Sequence, residues 1–202
     1  MSVETVLQAS RGVGRTRGLL VAGVMVASSL AAIAGCGYLE KDDDAEKAAE
    51  AIPRVEKPRN ITAVADRPCE LLNPQQAAGF GLDRPPRQIP GRLGSMDCEW
   101  RSSKADVWVY ISTFTNRLTL EEVYTRRASL PYFELTRIGG FPAIVSRTDE
   151  GLPVCDIDIK PAERQSITVS FDSTEFNKAP QQGCVVGRRI AEAVLSNLPP
   201  PR

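Results

Sequence analysis

The chain has 202 residues, with 25 Lys and Arg, 25 Asp and Glu, and no His. The even charge balance excludes a protein that holds nucleic acid by bulk phosphate neutralisation, because there is no surplus of positive charge. The lack of His removes the commonest general base, the commonest zinc ligand and every Ser–His or Cys–His nucleophile pair.

The amino-terminal segment has the pattern of an export signal. Three arginines between positions 11 and 17 precede an uncharged run at 19–34. A basic stretch followed by an apolar run is typical of a secretory signal peptide. The run of 16 residues is shorter than the roughly 20 residues that a transmembrane helix needs. The residues Ile33-Ala34-Gly35-Cys36 resemble the bacterial lipobox, in which a signal peptidase cuts before a cysteine that receives a diacylglyceryl group.

We therefore predict that residues 1–35 are a lipoprotein signal peptide and that Cys36 is acylated. Two or more acyl chains, at roughly 0.8 kcal/mol per buried CH₂, give stable anchoring. The predicted partner of Cys36 is thus the lipid bilayer, and the rest of the chain would lie on the extracytoplasmic side of the cell membrane. The alternatives are an uncleaved membrane anchor and an ordinary signal peptide with a chance cysteine.

Residues 36–66 are predicted to form the lipidated cysteine and a flexible acidic tether. The segment contains the acidic run Asp42-Asp43-Asp44, two prolines and few large apolar side chains. Such a composition does not offset the entropy of ordering the chain. A flexible chain of this length spans on the order of 30 Å. The acidic run lacks the spacing of a calcium loop, so we predict no metal site there.

The folded domain is predicted to cover residues 67–202 and contains four further cysteines. In an exported chain an even number of cysteines indicates disulfides, and the absence of a CxxC pair disfavours zinc and redox sites. Of the three possible pairings we favour Cys69–Cys98 and Cys155–Cys184, because each joins near neighbours in sequence. Each bridge would stabilise the fold by roughly 3 to 4 kcal/mol in the chain-entropy model. No cofactor is predicted.

Three helices and six strands are predicted in this domain. The helices begin at Asn73-Pro74, at about Leu120 and at about Gly183, and the last two extend to about Ser129 and Leu198. The strands are predicted at 96–101, 106–114, 133–138, 143–148, 155–160 and 166–171, from apolar residues at alternate positions. Strand 106–114 is predicted to lie inside the sheet, and strands 155–160 and 166–171 to pair with one solvated face. The fold class is therefore α+β, an antiparallel sheet with about three helices packed on it.

A Pro- and Gly-rich loop at 83–95 carries Arg84, Arg87 and Arg92. Guanidinium groups bind carboxylates and phosphates, so these three arginines are candidate contacts for an anionic polymer, a lipid headgroup or a protein. The two tryptophans, Trp100 and Trp108, are interpreted as core residues that pack against the disulfides.

Three acidic residues are the nearest approach to a catalytic carboxylate pair. Glu99 stands alone, whereas Asp156 and Asp158 share one face of a predicted strand, at a spacing within the range that glycosidases use. We interpret Asp156 and Asp158 as part of a solvated outer face beside Lys160. The chain contains neither a G-x-S-x-G nor an S-x-x-K motif. The sequence therefore predicts no catalytic residue, and a hydrolase is the least favoured function.

Short pieces along the whole domain resemble the DUF3558 family of actinobacterial lipoproteins. They are Pro68-Cys69-Glu70-Leu71-Leu72, Gly81-Leu82, Cys98-Glu99-Trp100, Gly140-Phe141-Pro142-Ala143, the lone Cys155, Cys184 and Leu198-Pro199. By broader analogy the resemblance implies a PsbP-like or LpqN-like fold, a curved antiparallel sheet between helices. The family has no established biochemical role and implies no catalytic residue.

Two functions follow from these observations. The favoured one is a non-catalytic, membrane-anchored module that binds a protein or another component of the cell envelope. The alternative is a carrier that holds an apolar or amphiphilic ligand between the sheet and the helices, which requires a large apolar cavity. The sequence identifies neither the ligand nor the oligomeric state.

Overall fold

A computed structural model describes residues 36–199, with side chains from residue 44 onward. The predicted signal peptide, residues 1–35, lies outside the described part of the chain. Between residues 36 and 199 no helix is both long enough and apolar enough to span a bilayer. The fold class is α+β, as the sequence predicts.

Within residues 36–199, seven antiparallel strands form one open sheet in the order β1-β2-β3-β7-β6-β5-β4. The strands are β1 (Arg87–Pro90), β2 (Met96–Arg101), β3 (Val107–Phe114), β4 (Tyr132–Ile138), β5 (Phe141–Arg147), β6 (Val154–Ala162) and β7 (Gln165–Ser173). The predicted strand at 106–114 is β3, which lies between β2 and β7 inside the sheet as expected. The first strand was not predicted, because prolines and glycines flank its four residues.

In the described part of the chain, four α-helices and four short 3-10 turns accompany the sheet. The helices are α1 (Cys36–Ala51), α2 (Pro74–Gly79), α3 (Thr119–Thr125) and α4 (Pro180–Ser196). The 3-10 turns are Pro68–Leu71, Arg92–Gly94, Arg127–Ser129 and Thr174–Phe176. Helix α4 packs on β6 and β7, and α3 packs on β5, β6 and β7. Strand alternation places these two helices on opposite faces of the sheet.

The main core lies between the sheet and α4. The side chains of Val109, Ile157 and Val169 are completely buried there. Packing is close: a Cβ added to Gly187 of α4 would lie 2.5 Å from the Cδ1 atom of Ile157. Two disulfides join elements around this core, Cys69–Cys98 and Cys155–Cys184, and both pairings predicted from the sequence are confirmed.

A smaller apolar cluster lies on the other face of the sheet, under α3. It contains Ile52, Leu120, Val123 and Ile144. The prediction that strands β6 and β7 have one solvated face is wrong where α3 covers it. The sequence alternation correctly predicted which side chains share that face, but not the helix that packs on it.

The segment predicted as a flexible tether is partly folded onto the domain. Residues 36–51 form α1, which packs against α3, and Ala48 is completely buried. Farther along, Ile61 is also completely buried, and the backbone N–H of Arg59 donates to the Pro161 carbonyl at 2.8 Å. The expected boundary at residue 67 is therefore corrected: the folded part begins within α1.

Candidate binding face of the sheet

The sheet face opposite α4 carries mostly polar side chains, and we call it the polar face. Residues paired across antiparallel strands point to the same side of the sheet, so the strand register arranges them in rows. One such row crosses five strands: Arg87, Glu99, Tyr110, Ser170 and Asp156. Helix α3 covers the β5–β7 part of this face.

Glu99 is the centre of an ion-pair cluster on the polar face. Its side chain is only 4% exposed. The carboxylate accepts hydrogen bonds from Arg101 Nη2 at 2.8 Å, Arg87 Nε at 3.0 Å and the Tyr110 hydroxyl at 3.2 Å. The hydrogen bond from Arg101 lowers the pKa of Glu99 more than burial raises it, so the carboxylate stays ionised. Glu99 therefore holds two guanidinium groups in place.

Arg101 is fixed from a second side by an aromatic ring. Its Cζ atom lies 3.6 Å from the centroid of the Trp108 ring. Trp108 is itself oriented by a hydrogen bond from Nε1 to Asp106 at 3.0 Å and stacks on Tyr110, with centroids 6.4 Å apart. An arginine held by both a carboxylate and an indole loses little further conformational freedom on binding a ligand.

Beside these residues the chain before β1 forms one wall of an open groove, which we call the arginine groove. Its volume is about 540 Å³. It is lined by Asp83, Arg84, Pro85, Pro86, Arg87, Glu99, Arg101 and Ser103. The wall is tied to the sheet because Ser103 donates from its backbone N–H, at 2.6 Å, and from its hydroxyl, at 2.5 Å, to the carboxylate of Asp83. The hydroxyl hydrogen bond is the main cause of the lowered pKa of Asp83.

The structure brings together two of the three arginines predicted as contacts. Arg84 and Arg87 both line the groove, whereas Arg92 lies past the opposite end of β1, in the turn between β1 and β2. Arg101 was not among the candidates. The alternation Glu99-Trp100-Arg101 places Arg101 on the same face as Glu99, but only the pairing of β2 with β3 puts it over Trp108.

The two tryptophans lie on opposite faces of the sheet. Trp100 is 2% exposed and belongs to the core, as predicted. The prediction for Trp108 is wrong, because its ring lies half-buried on the polar face under Arg101. The alternation of β3 is apolar on both faces, and its sequence does not show which face the core covers.

Two of the candidate carboxylates lie on β6 near the carboxyl end of α3. Asp156 accepts a hydrogen bond from Ser170 at 2.5 Å, and Asp158 accepts one from Thr168 at 2.6 Å. Burial raises the pKa of Asp156 and, with a further contribution from the Asp156 charge, raises the pKa of Asp158 to about 7. The interpretation of a solvated outer face is wrong for Asp158, which is 4% exposed, and for Lys160, which is 8% exposed.

The third carboxylate is far from these two. Glu99 and Asp156 are separated by three strand spacings, about 14 Å at roughly 4.8 Å per strand. That exceeds the roughly 5 to 10 Å between the two carboxyl groups of a glycosidase. Among the side chains that the structure describes, those of residues 44–199, no group of three potential metal ligands converges.

Cys36 is the first residue of α1. No feature of residues 36–199 bears on its acylation, which stays a prediction.

Comparison with known proteins places the chain in a family. The family model described as "Protein of unknown function (DUF3558)" matches residues 31–197, which includes almost all of the described fold. No curated protein and no solved structure matches the chain significantly. The sequence pieces that resemble DUF3558 lie on the elements that build this fold, including both disulfides. The chain belongs to the DUF3558 family.

Proposed function

We propose that this chain is a membrane-anchored, extracytoplasmic module that binds an anionic group of a cell-envelope component through the arginine groove. The observation that carries the proposal is the fixed position of Arg101, which is paired with buried Glu99 and stacked on Trp108. Binding sites commonly use side chains that are already held in their bound orientation, because this lowers the entropy cost of association.

The charge of the groove favours an anionic ligand. Three guanidinium groups, those of Arg84, Arg87 and Arg101, line it together with two carboxylates. Both carboxylates are already engaged, Glu99 by arginines and Asp83 by Ser103. The side chain of Arg87 is 63% exposed despite its ion pair. Guanidinium groups recognise carboxylates and phosphates through paired N–H donors.

A binding role is favoured over a catalytic one by the state of the acidic residues. The Asp156 and Asp158 pair accepts hydrogen bonds from Ser170 and Thr168, and α3 packs over that part of the sheet. Glu99 is ionised and bound to two arginines, so it is poorly suited to donate or abstract a proton. The residues of the groove are therefore proposed to hold a ligand and not to transform it.

The carrier alternative needs a large apolar cavity between the sheet and the helices. Where α4 crosses β6 the packing is close instead, because a Cβ added at Gly187 would lie 2.5 Å from the Cδ1 atom of Ile157. The described core is a set of side chains in contact with one another.

The proposed anchor is tested by the Cys36→Ser variant of the full chain. If Cys36 carries the acyl chains, the parent chain sediments with membranes and partitions into detergent, whereas the variant does neither. Mass spectrometry of the intact parent chain should show the added lipid mass. A variant that still fractionates with membranes would refute the anchor but leave the groove untested, so the groove has its own experiment.

The groove is tested with a photo-crosslinking residue, p-benzoylphenylalanine, at Pro85 of the full chain in living cells. Pro85 is exposed and lines the groove. The matched control carries the same residue at Val185, which is 58% exposed on α4, on the other side of the sheet. We expect an ultraviolet-dependent adduct at Pro85 only, and its loss in the Arg101→Ala background. Equal adducts at the two positions, or an adduct indifferent to Arg101, would contradict the proposal.

A further inference from the structure

Among residues 36–199, strand β4 forms an edge of the sheet that pairs with no further strand. It pairs with β5 through a two-residue hairpin loop, Gly139-Gly140, whose φ angles are 58° and 86°. In such a loop the flanking residues, Ile138 and Phe141, form a hydrogen-bonded pair, and every second residue of β4 then points its backbone groups at β5. The N–H and C=O groups of Phe133, Leu135 and Arg137 therefore point outward, and among residues 36–199 they have no backbone partner.

The other edge of the sheet is protected, and β4 is not. Strand β1 has only four residues, begins with exposed Arg87 and ends with Pro90, which has no N–H to donate. Short length, charge and proline are the usual means by which proteins block edge pairing. Strand β4 has seven residues in unbroken register with β5 and contains no proline. Its two charged side chains are already paired within the chain, Glu134 with Arg188 and Arg137 with Glu56.

The side chains of β4 also offer apolar surface to a strand that pairs with this edge. Phe133 and Leu135 are half-buried against the cluster under α3, and Tyr132 lies half-buried against the main core. A long, regular edge with partly exposed apolar side chains is a template for the addition of another strand.

We propose that β4 pairs in antiparallel fashion with β4 of a second copy of this chain, with the two-fold axis at Leu135. In this register Leu135 lies opposite its own copy and Phe133 lies opposite Arg137. All three outward-pointing residues of each chain then bond to the other chain, which gives six backbone hydrogen bonds between the two copies. The Arg137 side chain, 37% exposed and held by Glu56 and by the Gly140 and Arg54 carbonyls, then lies across from the Phe133 ring of the other chain.

The neighbouring registers are less favourable. A two-fold axis at Glu134 brings Pro131, which lacks an N–H, opposite Arg137. An axis at Thr136 brings Gly139 of the hairpin loop opposite Phe133. Only the axis at Leu135 matches the three outward-pointing residues of one chain with the same three of the other.

A second copy also fits the placement of α1. Antiparallel pairing at this edge creates a two-fold axis perpendicular to the sheet, so both polar faces lie on the same side. Helix α1, which packs against α3 over that face, is then on the same side in both copies. Two chains anchored in one membrane need this arrangement. The argument from a shared membrane rests on the proposed anchor, whereas the pairing of the two β4 edges does not.

The register is tested by cysteine cross-linking of the full chain. With mild oxidant, Leu135→Cys should give a covalent dimer on a non-reducing gel, because residues opposite one another in a hydrogen-bonded pair lie about 5.5 Å apart. Phe133→Cys alone should not cross-link, since its two copies are offset by four residues, about 13 Å. A mixture of the Phe133→Cys and Arg137→Cys chains should cross-link, because these two positions lie opposite each other in the proposed register. The matched control is Ile89→Cys on the β1 edge, and the parent chain gives the background from Cys36.

A charge exchange tests the same contact without cysteine. The Leu135→Lys and Leu135→Glu variants should each be monomeric by light scattering in detergent, because like charges oppose each other at the axis. An equal mixture of the two should form dimers, which a variant that had failed to fold would not do. A monomeric parent chain, a cross-link at Phe133 alone, or equal cross-linking at Ile89 and Leu135 would each overturn the proposal.

Discussion

Substitution of Asp158 by Asn should remove a pH-dependent loss of stability. Asp158 lies on β6 with 4% exposure, and its only hydrogen-bond partner among the described residues is Thr168. Burial is the main cause of the raised pKa of its carboxyl group, and the nearby charge of Asp156 adds to it. The folded chain therefore binds the Asp158 proton more tightly than the unfolded chain does.

The size and sign of the effect follow from linkage. The pKa rises from 3.8 to about 7 on folding, which corresponds to an upper limit of about 4 kcal/mol. Between about pH 4 and pH 7 the unfolded chain has released this proton and the folded chain has not. The contribution of Asp158 to the free energy of unfolding therefore falls as the pH rises through this range, and it levels off above about pH 7.

Asparagine is neutral at every pH and keeps an oxygen that accepts the hydrogen bond from Thr168. The Asp158→Asn variant should match the parent chain near pH 4 and be more stable near pH 8, by up to about 4 kcal/mol. The difference between the two chains is the informative quantity. The pKa of Glu99 is lowered in the folded chain, so protonation of Glu99 in acid lowers the free energy of unfolding of both chains equally.

The measurement is urea unfolding followed by circular dichroism at about pH 4, 6 and 8, with the exposed Glu150→Gln variant as control. The control should track the parent chain at all three values. The reasoning is refuted if Asp158→Asn is less stable than the parent chain near pH 8, or if the difference between them does not change with pH.

Three further variants test the packing. The double change Cys69→Ala and Cys98→Ala opens a bridge between residues 29 apart and should lower the free energy of unfolding by about 3 to 4 kcal/mol, measured by urea unfolding against the oxidised parent chain. Gly187→Ala should cost about 1 to 3 kcal/mol, because its Cβ would lie 2.5 Å from a methyl carbon of β6. The control Gly79→Ala, with nothing within 4 Å of its Cβ, should cost much less. Ile61→Ala should cost about 3 kcal/mol if the segment before residue 67 is folded onto the domain, and no measurable loss would restore the flexible tether.

The elements that the sequence predicts well are those defined by local patterns. Six of the seven strands follow from apolar residues at alternate positions, and the β4–β5 hairpin follows from Gly139-Gly140. The start of α2 follows from Asn73, whose side chain accepts from the Gln76 N–H at 2.9 Å. Both disulfide pairings follow from the preference for near neighbours along the chain.

The features that the sequence predicts poorly depend on contacts between residues far apart in the chain. Asp158 and Lys160 alternate with apolar residues as they would on a solvated face, yet α3 from elsewhere in the chain packs over this part of the sheet. Lys160 is satisfied there by Glu121 and Glu163, each at 2.9 Å. Similarly, Ile61 is an isolated apolar residue in a charged stretch, and only the assembled sheet provides the site that buries it.

The start of α3 is a further place where distant contacts override a local sequence pattern. Thr119 and Glu122 have the spacing of a capping box, which predicts that Thr119 caps the helix. Among the described side chains none caps α3: the Thr119 hydroxyl lies 2.6 Å from that of Ser166, and Glu122 pairs with Arg117. Partners brought in by the fold displace the local interaction, because a hydroxyl and a carboxylate bind whichever donors or acceptors lie nearest.

The arginine groove and the β4 edge lie at opposite ends of the sheet, and this separation allows the two proposals to be judged independently. Strands β1 and β4 are the first and last in the strand order, six spacings apart, or about 29 Å. No residue that lines the groove belongs to β4 or contacts it through the sheet register. Arg101→Ala should therefore abolish the adduct at Pro85 without changing the cross-link of the Leu135→Cys chain. Leu135→Lys should abolish the dimer seen by light scattering without changing the adduct at Pro85. If either substitution changed both readouts while the variant stayed folded by circular dichroism, the two sites would not be independent and the separation inferred from the strand order would be wrong.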